Sequence, residues 1–338
     1  MCSESTNQTE TQLLTQQDQT SADSTQSLLP EVTIELVDPE ESTRTRRGVI
    51  HTKQQLAIQR GLVFDEIKGM PACAEKHRLY RVIQDFTAES AMLEQHLQDN
   101  FVPQHGPMQL LSPRAFFVSP LFRVRSKSIA RELHIELALP TAQGKPTIKY
   151  KGPELRQTDG LVFLALMHMA RDVQLGTAVS LQPKAVCEAL FRRYDGHTRE
   201  LLSDHIQRLQ HGLIIFEHFS VQLCLRFDYP SVGPWTIGLD PKIVELFRAS
   251  PETWLRLKPR LSLPDGLATW LFAFIESQSK LIPMRLDGLR TMCGSHASSK
   301  AFLNRFRDAM HHLTDAGIID KGWFFKMGMV HWMKARSS

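Results

Sequence analysis

The C-terminal part of the chain carries the pattern that most restricts its fold. After Ile282, an extended segment leads to a short helix that ends at Gly294, and a Ser-rich turn separates this helix from a long one predicted over Ser299 to Ala316. Glycine after a helix and serine before one are ordinary stop and start signals. The aromatic and apolar stretch Ile318 to Met333 then predicts a β-ribbon. Helix, turn, helix and ribbon in this order predict a winged helix, a DNA-binding fold.

The long predicted helix has an apolar and a polar face. Apolar residues recur three or four positions apart and therefore share one side of a helix: Phe302, Phe306, Ala309, Met310, Leu313 and Ala316. The opposite side carries Lys300, Asn304, Arg307 and His311, with Arg305 on its flank. Such side chains bind phosphates and base edges in a major groove. An ordinary solvated helix face has the same pattern, so the helix alone leaves both interpretations open.

Charge is distributed unevenly along the chain. Residues 1–43 contain nine carboxylates and no Lys or Arg, so the net charge of +4 for the whole chain leaves +13 on residues 44–338. A basic body attracts polyanions such as nucleic acid. The sequence has no apolar run near the roughly 20 residues that span a bilayer and no secretory signal pattern, so neither a membrane partner nor export is expected.

Metal and disulfide chemistry are not expected either. The five cysteines, Cys2, Cys73, Cys187, Cys224 and Cys293, are scattered, which favours reduced and mostly buried thiols. No His-Glu-x-x-His pattern occurs, and the adjacent His311 and His312 point about 100° apart on a helix. We therefore predict neither a metal site nor a cofactor.

Four parts are predicted along the chain. Residues 1–45 are acidic and rich in Ser, Thr and Gln, a composition that predicts a disordered tail. Residues 46–118 combine helical patterns with a Pro-containing linker. Residues 119–232 and 233–338 repeat the order core helix, helix, turn, helix and ribbon. The expected fold is therefore α+β, with two tandem winged-helix domains after the tail.

Local signals place the elements of these domains. The strands and helices predicted before the second core helix are Ile135–Leu139, Thr147–Tyr150, a core helix capped at Thr158 or Asp159, Pro183–Leu190, Thr198–Gln210, and candidate wing strands Val221–Phe227 and Trp235–Leu239. In the second domain, Ser262 and Asp265 have the spacing of a capping box before the core helix.

Further cations are candidates for DNA contact. In the first domain, the outward face of Thr198–Gln210 is acidic and polar, which suits backbone contact or a structural role better than base reading. The candidate phosphate contacts outside the long C-terminal helix are Arg192, Arg193, Arg199 and Arg208, an arm at Arg123, Arg125 and Lys127, and Lys321 and Lys326 of the C-terminal ribbon. An ordinary solvated surface is the alternative for the arm.

Three strings resemble the TrfA family of plasmid replication initiators. They are Pro120-Leu121-Phe122, Tyr150-Lys151-Gly152-Pro153-Glu154-Leu155 and Leu286-Asp287-Gly288-Leu289-Arg290-Thr291-Met292-Cys293-Gly294-Ser295. The resemblance implies tandem winged-helix domains that bind repeated origin sequences (iterons) in double-stranded DNA and open an adjacent AT-rich segment. It also implies a bacterial cytoplasmic setting, a monomer–dimer balance, and the host initiator and replicative helicase as partners.

One family feature departs from its pattern here. Family members can carry a Gln-Leu-x-Leu-Phe motif that docks the replicative sliding clamp, whereas this chain has Gln109-Leu110-Leu111-Ser112-Pro113. Because the final aromatic residue is missing, the apolar plug that clamp docking needs is smaller.

Two other function classes compete with DNA replication. A transcriptional repressor with the same DNA-binding modules is the nearest alternative, because groove reading does not distinguish repression of a promoter from opening of an origin. Enzymatic activity is not expected. No phosphate-binding Gly-x-x-x-x-Gly-Lys-Ser/Thr loop occurs, and no His-apolar-His pair accompanies the tyrosines that a strand-nicking enzyme would use as nucleophiles.

Overall fold

The described part of the chain begins with a pair of long antiparallel helices. The computed structural model describes residues 45–140 and 147–335, so residues 1–44 of the predicted tail and the predicted Gly144–Pro146 turn lie outside the described residues. Helices α1 (Arg46–Ile67) and α2 (Ala74–Asn100) pack against each other. Thr45 caps α1 by accepting a hydrogen bond from the Gly48 amide at 3.1 Å. Each of these two helices is therefore a packing partner of the other.

Short strands and helices alternate through the rest of the chain, which confirms a mixed helix and strand fold. From Gln109 to Gly238 the elements are β1 (Gln109–Pro113), a 3-10 turn (Arg114–Phe116), β2 (Phe122–Arg123), β3 (Ile135–Leu139), β4 (Ile148–Gly152), β5 (Leu155–Arg156), α3 (Gln157–Met169), β6 (Val179–Leu181), α4 (Pro183–Phe191), α5 (Gly196–Gln210), β7 (Leu213–Ile215), β8 (Ser220–Gln222), β9 (Arg226–Asp228) and β10 (Trp235–Gly238). From Ile243 they are α6 (Ile243–Ala249), β11 (Glu252–Arg256), α7 (Leu257–Ser262), α8 (Leu267–Glu276), β12 (Met284–Arg285), α9 (Leu286–Met292), α10 (Ser299–Asp315), β13 (Phe324–Lys326) and β14 (Met329–His331).

Two helices lie at the centre of the core. Every residue of α3 except Thr158 is buried, and α8 is buried from Leu267 to Ile275. Helices that are apolar on nearly all sides must be covered on all sides. The two predicted core helices are confirmed.

The chain uses one strand arrangement twice. One sheet has the order β6-β10-β9 and another has β12-β14-β13, all antiparallel. In the first sheet, β6 precedes the helices α4 and α5 and pairs with β10, the last strand of the β9–β10 hairpin. In the second sheet, β12 precedes the helices α9 and α10 and pairs with β14, the last strand of the β13–β14 hairpin. The repeated plan predicted from the sequence is therefore present, although the first copy also contains the β7–β8 hairpin, which joins β3 and β4 in a separate sheet.

Two boundary predictions were wrong. The predicted strand Val221–Phe227 is two strands in different sheets, because the Leu223 amide bonds to the Gly212 carbonyl while the Leu225 amide bonds to the Gly238 carbonyl. The predicted domain boundary between residues 232 and 233 separates β9 from its hairpin partner β10. Because β10 lies between β6 and β9, the first unit extends through Gly238.

The predicted linker before residue 119 contains part of the core. Strand β1 pairs along its whole length with β11, from Gln109 opposite Arg256 to Pro113 opposite Glu252. Leu110 and Leu111 are both 0% exposed. Residues 109–113 are therefore a structural strand instead of an open connector.

The two predicted helix starts also have different outcomes. The first core helix begins at Gln157, just before the predicted cap, and Asp159 in its first turn accepts a hydrogen bond from the Arg156 amide at 2.7 Å. The predicted capping box at Ser262 was wrong, because Ser262 is the last residue of α7 and Gly266 precedes α8. Pro264 explains the break, since a residue before proline avoids the helical region.

Candidate nucleic-acid interface

Helix α10 has a defined start and end. The Ser298 hydroxyl accepts a hydrogen bond from the Ala301 amide at 3.3 Å, which caps the first turn. At the other end Gly317 has a φ of 65°, and the Ile318 amide bonds to the Leu313 carbonyl at 2.9 Å. This is the Schellman arrangement, in which a left-handed glycine ends the helix. The predicted extent of the helix is confirmed to within one residue.

The apolar face of α10 packs inward as predicted. Its buried residues are Phe302, Phe306, Ala309, Met310 and Leu313, whereas Ala316 is exposed just beyond the helix. The helix packs against the core helix α8. Burying this stripe fixes which side of α10 faces solvent.

The predicted DNA-binding residues of α10 all lie on its exposed side. Lys300, Asn304, Arg305, Arg307 and His311 are exposed, and none of their side chains makes an ion pair or hydrogen bond with any described residue. The Arg307 guanidinium lies 6.0 Å from the centre of the Phe325 ring, a contact that orients the side chain and leaves its N–H groups without a partner among the described residues.

An acidic residue that was not among the predicted site residues lies on the same side. Asp308 is exposed and follows Asn304 by one helical turn. Helical spacing alone was enough to place it there. The exposed side is thus a mixed polar surface, in which Asp308 and, in the last turn, Asp315 lie among cations and an amide.

The hairpin β13–β14 is attached to the same helix. Phe325 packs on Phe306 with ring centroids 5.9 Å apart, and Trp332 packs on Phe306 at 6.1 Å. The candidate cations Lys321 and Lys326 are exposed at the base and the tip of this hairpin. Aromatic packing therefore fixes the hairpin beside the exposed side of α10.

The turn between α9 and α10 contacts the first of the two repeated units, residues 119–238, which is here called the first half. Gly294 follows α9 with a φ of 64°, and a Cβ at this position would lie 2.8 Å from Arg123 Cγ and 3.0 Å from Pro120 Cβ. The Val124 amide donates a hydrogen bond to the Cys293 carbonyl at 2.8 Å. These contacts, here called the seam, set where α10 begins relative to the first half.

The predicted cationic arm is mostly bound by carboxylates. Arg125 bonds to Glu132 at 2.6 Å and to Glu154 at 2.8 Å, and Arg123 bonds to Glu132 at 3.0 Å. The two arginine side chains are only 11% (Arg123) and 10% (Arg125) exposed. Because their charges are already paired, this conformation does not favour the predicted phosphate contact at these two arginines. Lys127 alone among the three arm residues is exposed.

A second ion network lies beneath α5. Asp159 is 0% exposed and accepts hydrogen bonds from Arg131 at 2.7 Å, His205 at 2.7 Å and Arg208 at 2.8 Å. Burial would raise the pKa of Asp159, but the His205 hydrogen bond and the charges of Arg208 and Arg131 outweigh it and hold that pKa well below its usual range. Arg208 is committed to this network, so its predicted role in DNA contact is not supported by its position.

The remaining candidates of the first half surround the α4–α5 turn. Arg199 stacks over Trp235 at 5.2 Å and donates to the Pro230 carbonyl at 2.6 Å. Arg192 and Arg193 are exposed, and Arg193 is 3.4 Å from the Asp195 carboxylate. This turn offers cations to solvent, whereas the outward side of α5 exposes Glu200 and Asp204.

The candidate clamp motif is not accessible. Leu110 and Leu111 are fully buried in β1, and the Gln109 side chain accepts a hydrogen bond from the Gly106 amide at 3.1 Å. A peptide motif that docks through leucine side chains must expose them. The described fold therefore does not present these leucines for the predicted clamp contact.

Membrane-spanning and metal-binding features do not occur within residues 45–140 and 147–335. No helix in these ranges is both long and apolar enough to cross a bilayer. No cluster of three or more potential metal ligands occurs in the same ranges. Cys187, Cys224 and Cys293 are free and buried, and Cys73 is free and half-buried.

A model of a known protein family matches most of the described chain. The family model described as TrfA protein matches residues 94–334. The chain belongs to the TrfA family. All three strings that carry the resemblance in the sequence lie inside the matched range, whereas α1 and most of α2 precede it.

One curated relative and one solved structure illustrate how distant the similarities are. The plasmid replication initiator protein TrfA of Escherichia coli is 27% identical over 218 residues, which are 61% of this chain and 56% of that protein. The chain thus spans about half the length of this TrfA relative. A crystal structure of domains 2 and 3 of RctB matches 67% of this chain and 99% of that chain, with 11% identity and a TM-score of 0.43.

Proposed function

We propose that this chain is a plasmid replication initiator that binds repeated sites in double-stranded origin DNA, with α10 lying in the major groove. The observation that carries the proposal is the exposed side of α10. Its basic side chains have no carboxylate partner among the described residues, whereas most basic residues of the predicted arm and of α5 have partners. Membership of the TrfA family supports the same function.

The side chains of α10 suit particular groups of DNA. Asn304 has the amide that pairs with N6 and N7 of adenine, and Arg307 has the fork that pairs with O6 and N7 of guanine. Lys300 lies in the first turn, where the helix N-terminus also favours a phosphate. We assign base reading to Asn304 and Arg307, and phosphate contact to Lys300, Arg305, His311, Lys321 and Lys326.

Asp308 adds selectivity to this surface. A carboxylate repels phosphates and accepts a hydrogen bond from N4 of cytosine. A position of α10 in the groove that brings Asp308 near the DNA phosphate backbone is therefore disfavoured, while a position that places Asp308 opposite cytosine is favoured. This makes Asp308 a specificity residue in the proposed complex.

The shared sheet order supports a winged-helix assignment for both halves. In each half, a helix pair is followed by a hairpin whose last strand bonds to the strand before the pair. Two such modules on one chain reach neighbouring grooves, and binding of one raises the effective concentration of the other. The first module, with Arg192, Arg193 and Lys127 exposed, suits backbone contact.

Origin opening would follow from binding energy without catalysis by this chain. Several molecules on adjacent repeats would bend the duplex, and negative supercoiling would help to unstack flexible AT-rich steps. We propose the host initiator and replicative helicase as later partners, and a monomer–dimer balance that limits occupancy.

The first test is a footprint on the DNA that flanks the gene encoding this chain. Protection of directly repeated sites, together with permanganate sensitivity of a neighbouring AT-rich tract in supercoiled DNA, is the expected result. A footprint without permanganate sensitivity would favour a repressor over an initiator. No sequence preference at all would overturn the proposal.

Matched variants test the assignment of α10. Arg307→Ala should weaken cognate binding by about 1–3 kcal/mol and relax the preference at one base position. Arg81→Ala is the control, because Arg81 is an exposed cation on α2 away from α10. Equal losses on cognate and scrambled duplexes for Arg307→Ala would remove Arg307 as a base reader.

A further inference from the structure

The tip of the β13–β14 hairpin has an unusual residue in a demanding backbone position. Lys326 pairs with Met329, so Met327 and Gly328 form a two-residue turn with φ values of 50° and 72°. Positive φ at both positions is the type I′ pattern, which strongly favours Asn, Asp or Gly. Met327 and Arg192 are the two non-glycine residues with positive φ in the described part of the chain.

Met327 is also strongly exposed. Its relative exposure is 85%, so it contributes little to the packing of the hairpin. Asparagine would adopt the same backbone with less strain. The sequence therefore places a long apolar side chain in solvent at a position where a polar residue would fold better, and such local strain is a recognised sign of function.

The other candidate wing, hairpin β9–β10, has a glycine at the residue with positive φ. Hairpin β9–β10 is closed by residues 229–234, and there the positive φ, 94°, belongs to Gly233. Of these two hairpins, therefore, only β13–β14 has a methionine in the left-handed region.

The hairpin holds its tip in a fixed position. Phe325 packs inward against Phe306 of α10, while Phe324 on the other side is 51% exposed and stacks on His331 at 4.8 Å. Lys326, next to Met327, is exposed. The tip thus combines a rigid base, one cation and one projecting apolar side chain.

We propose that Met327 is an apolar wedge that enters the minor groove beside the site read by α10 and partly unstacks one base step. Apolar side chains such as methionine kink duplexes in this way, and pyrimidine–purine steps yield most readily. Lys326 would bind a phosphate at the groove edge. The proposal rests on the proposed function, since it needs α10 in the adjacent major groove.

The test compares three variants of the full chain on a cognate duplex. Met327→Asn keeps the turn and removes the wedge, Met327→Leu keeps an apolar wedge, and Met333→Asn changes another exposed methionine, 67% exposed and outside the turn. The readouts are bend angle, from fluorescence transfer between dyes at the duplex ends, and 2-aminopurine fluorescence at each step flanking the footprint.

Wild type, Met327→Leu and Met333→Asn should bend the duplex and raise 2-aminopurine fluorescence at one flanking step. Met327→Asn should protect the same bases, lose that fluorescence rise, and bind about tenfold more weakly, the equivalent of one lost apolar insertion. Bending and fluorescence equal to wild type in Met327→Asn would overturn the wedge. If wild type binds cognate and scrambled duplexes equally, the proposed function fails and the wedge fails with it, whereas specific binding without unstacking removes the wedge alone.

Discussion

Two glycines that follow helices provide a direct test of the seam. Gly294 after α9 and Gly317 after α10 have φ values of 64° and 65°, so alanine is strained to the same degree at both. A Cβ at position 317 meets nothing within 4 Å, but at position 294 it would lie 2.8 Å from Arg123 Cγ and 3.0 Å from Pro120 Cβ. The pair therefore separates backbone strain from steric contact.

The expected magnitudes follow from these two terms. Gly317→Ala should lower the free energy of unfolding by about 1–2 kcal/mol, the cost of a non-glycine residue in the left-handed region. Gly294→Ala should lower the free energy of unfolding by about 1–3 kcal/mol more than Gly317→Ala does, because neither contact atom is at the far end of a flexible side chain. Arg123 has little freedom to withdraw, since Glu132 holds its guanidinium at 3.0 Å.

Urea denaturation of both variants measures this difference, and similar m-values would show that the same structure unfolds. Gly294→Ala should also weaken cognate DNA binding, because a shift at the seam moves the start of α10 relative to the first half. Gly317→Ala leaves that start unchanged. If the two variants lose equal stability, the seam does not constrain the turn and our account of it is wrong.

Substitutions at three further positions have definite expected outcomes. Asp159→Asn should destabilise the chain by about 3–5 kcal/mol, because it leaves Arg131 and Arg208 without their buried carboxylate. The pKa of Asp159 is lowered from an ordinary value of 3.8, so its stabilising contribution is complete above that pH and is lost as pH falls below it; acid titration of unfolding should show a shallower loss in Asp159→Asn than in wild type. Lys326→Ala should weaken cognate and scrambled duplexes alike and reduce the salt slope by about one unit, as measured by titration at several salt concentrations. Met327→Asn should raise the free energy of unfolding by about 1 kcal/mol in urea denaturation, and an unchanged or lower value would mean that the turn is not strained.

Helix periodicity explains what could be predicted from the sequence. The stripe from Phe302 to Leu313 identified both the burial and the exposed side of α10, because side-chain direction in a helix follows directly from spacing. Gly294 marked the end of α9 for the same local reason. Signals that depend only on neighbours in the chain were sufficient for these elements.

Partners distant in the chain explain what could not be predicted. Arg123 and Arg125 look like a basic arm because Glu132 and Glu154, which neutralise them, approach only in the folded chain. Likewise, β1 looks like a linker because its partner β11 lies far along the sequence. A sequence shows where charges and apolar residues are, but not which of them meet.

The two halves differ in whether their candidate DNA-binding cations are paired with carboxylates. In the first half, Arg125 and Arg208 are held by carboxylates of which Glu154 and Asp159 are 0% exposed, and breaking such pairs to bind phosphate would leave a buried charge without its partner. In the second half, no such cost applies to Lys300 or Arg307, which have no carboxylate partner among the described residues. These pairs support our proposal that α10 reads bases, while the ion pair of Arg123 with Glu132 holds one side of the seam on which the position of α10 depends.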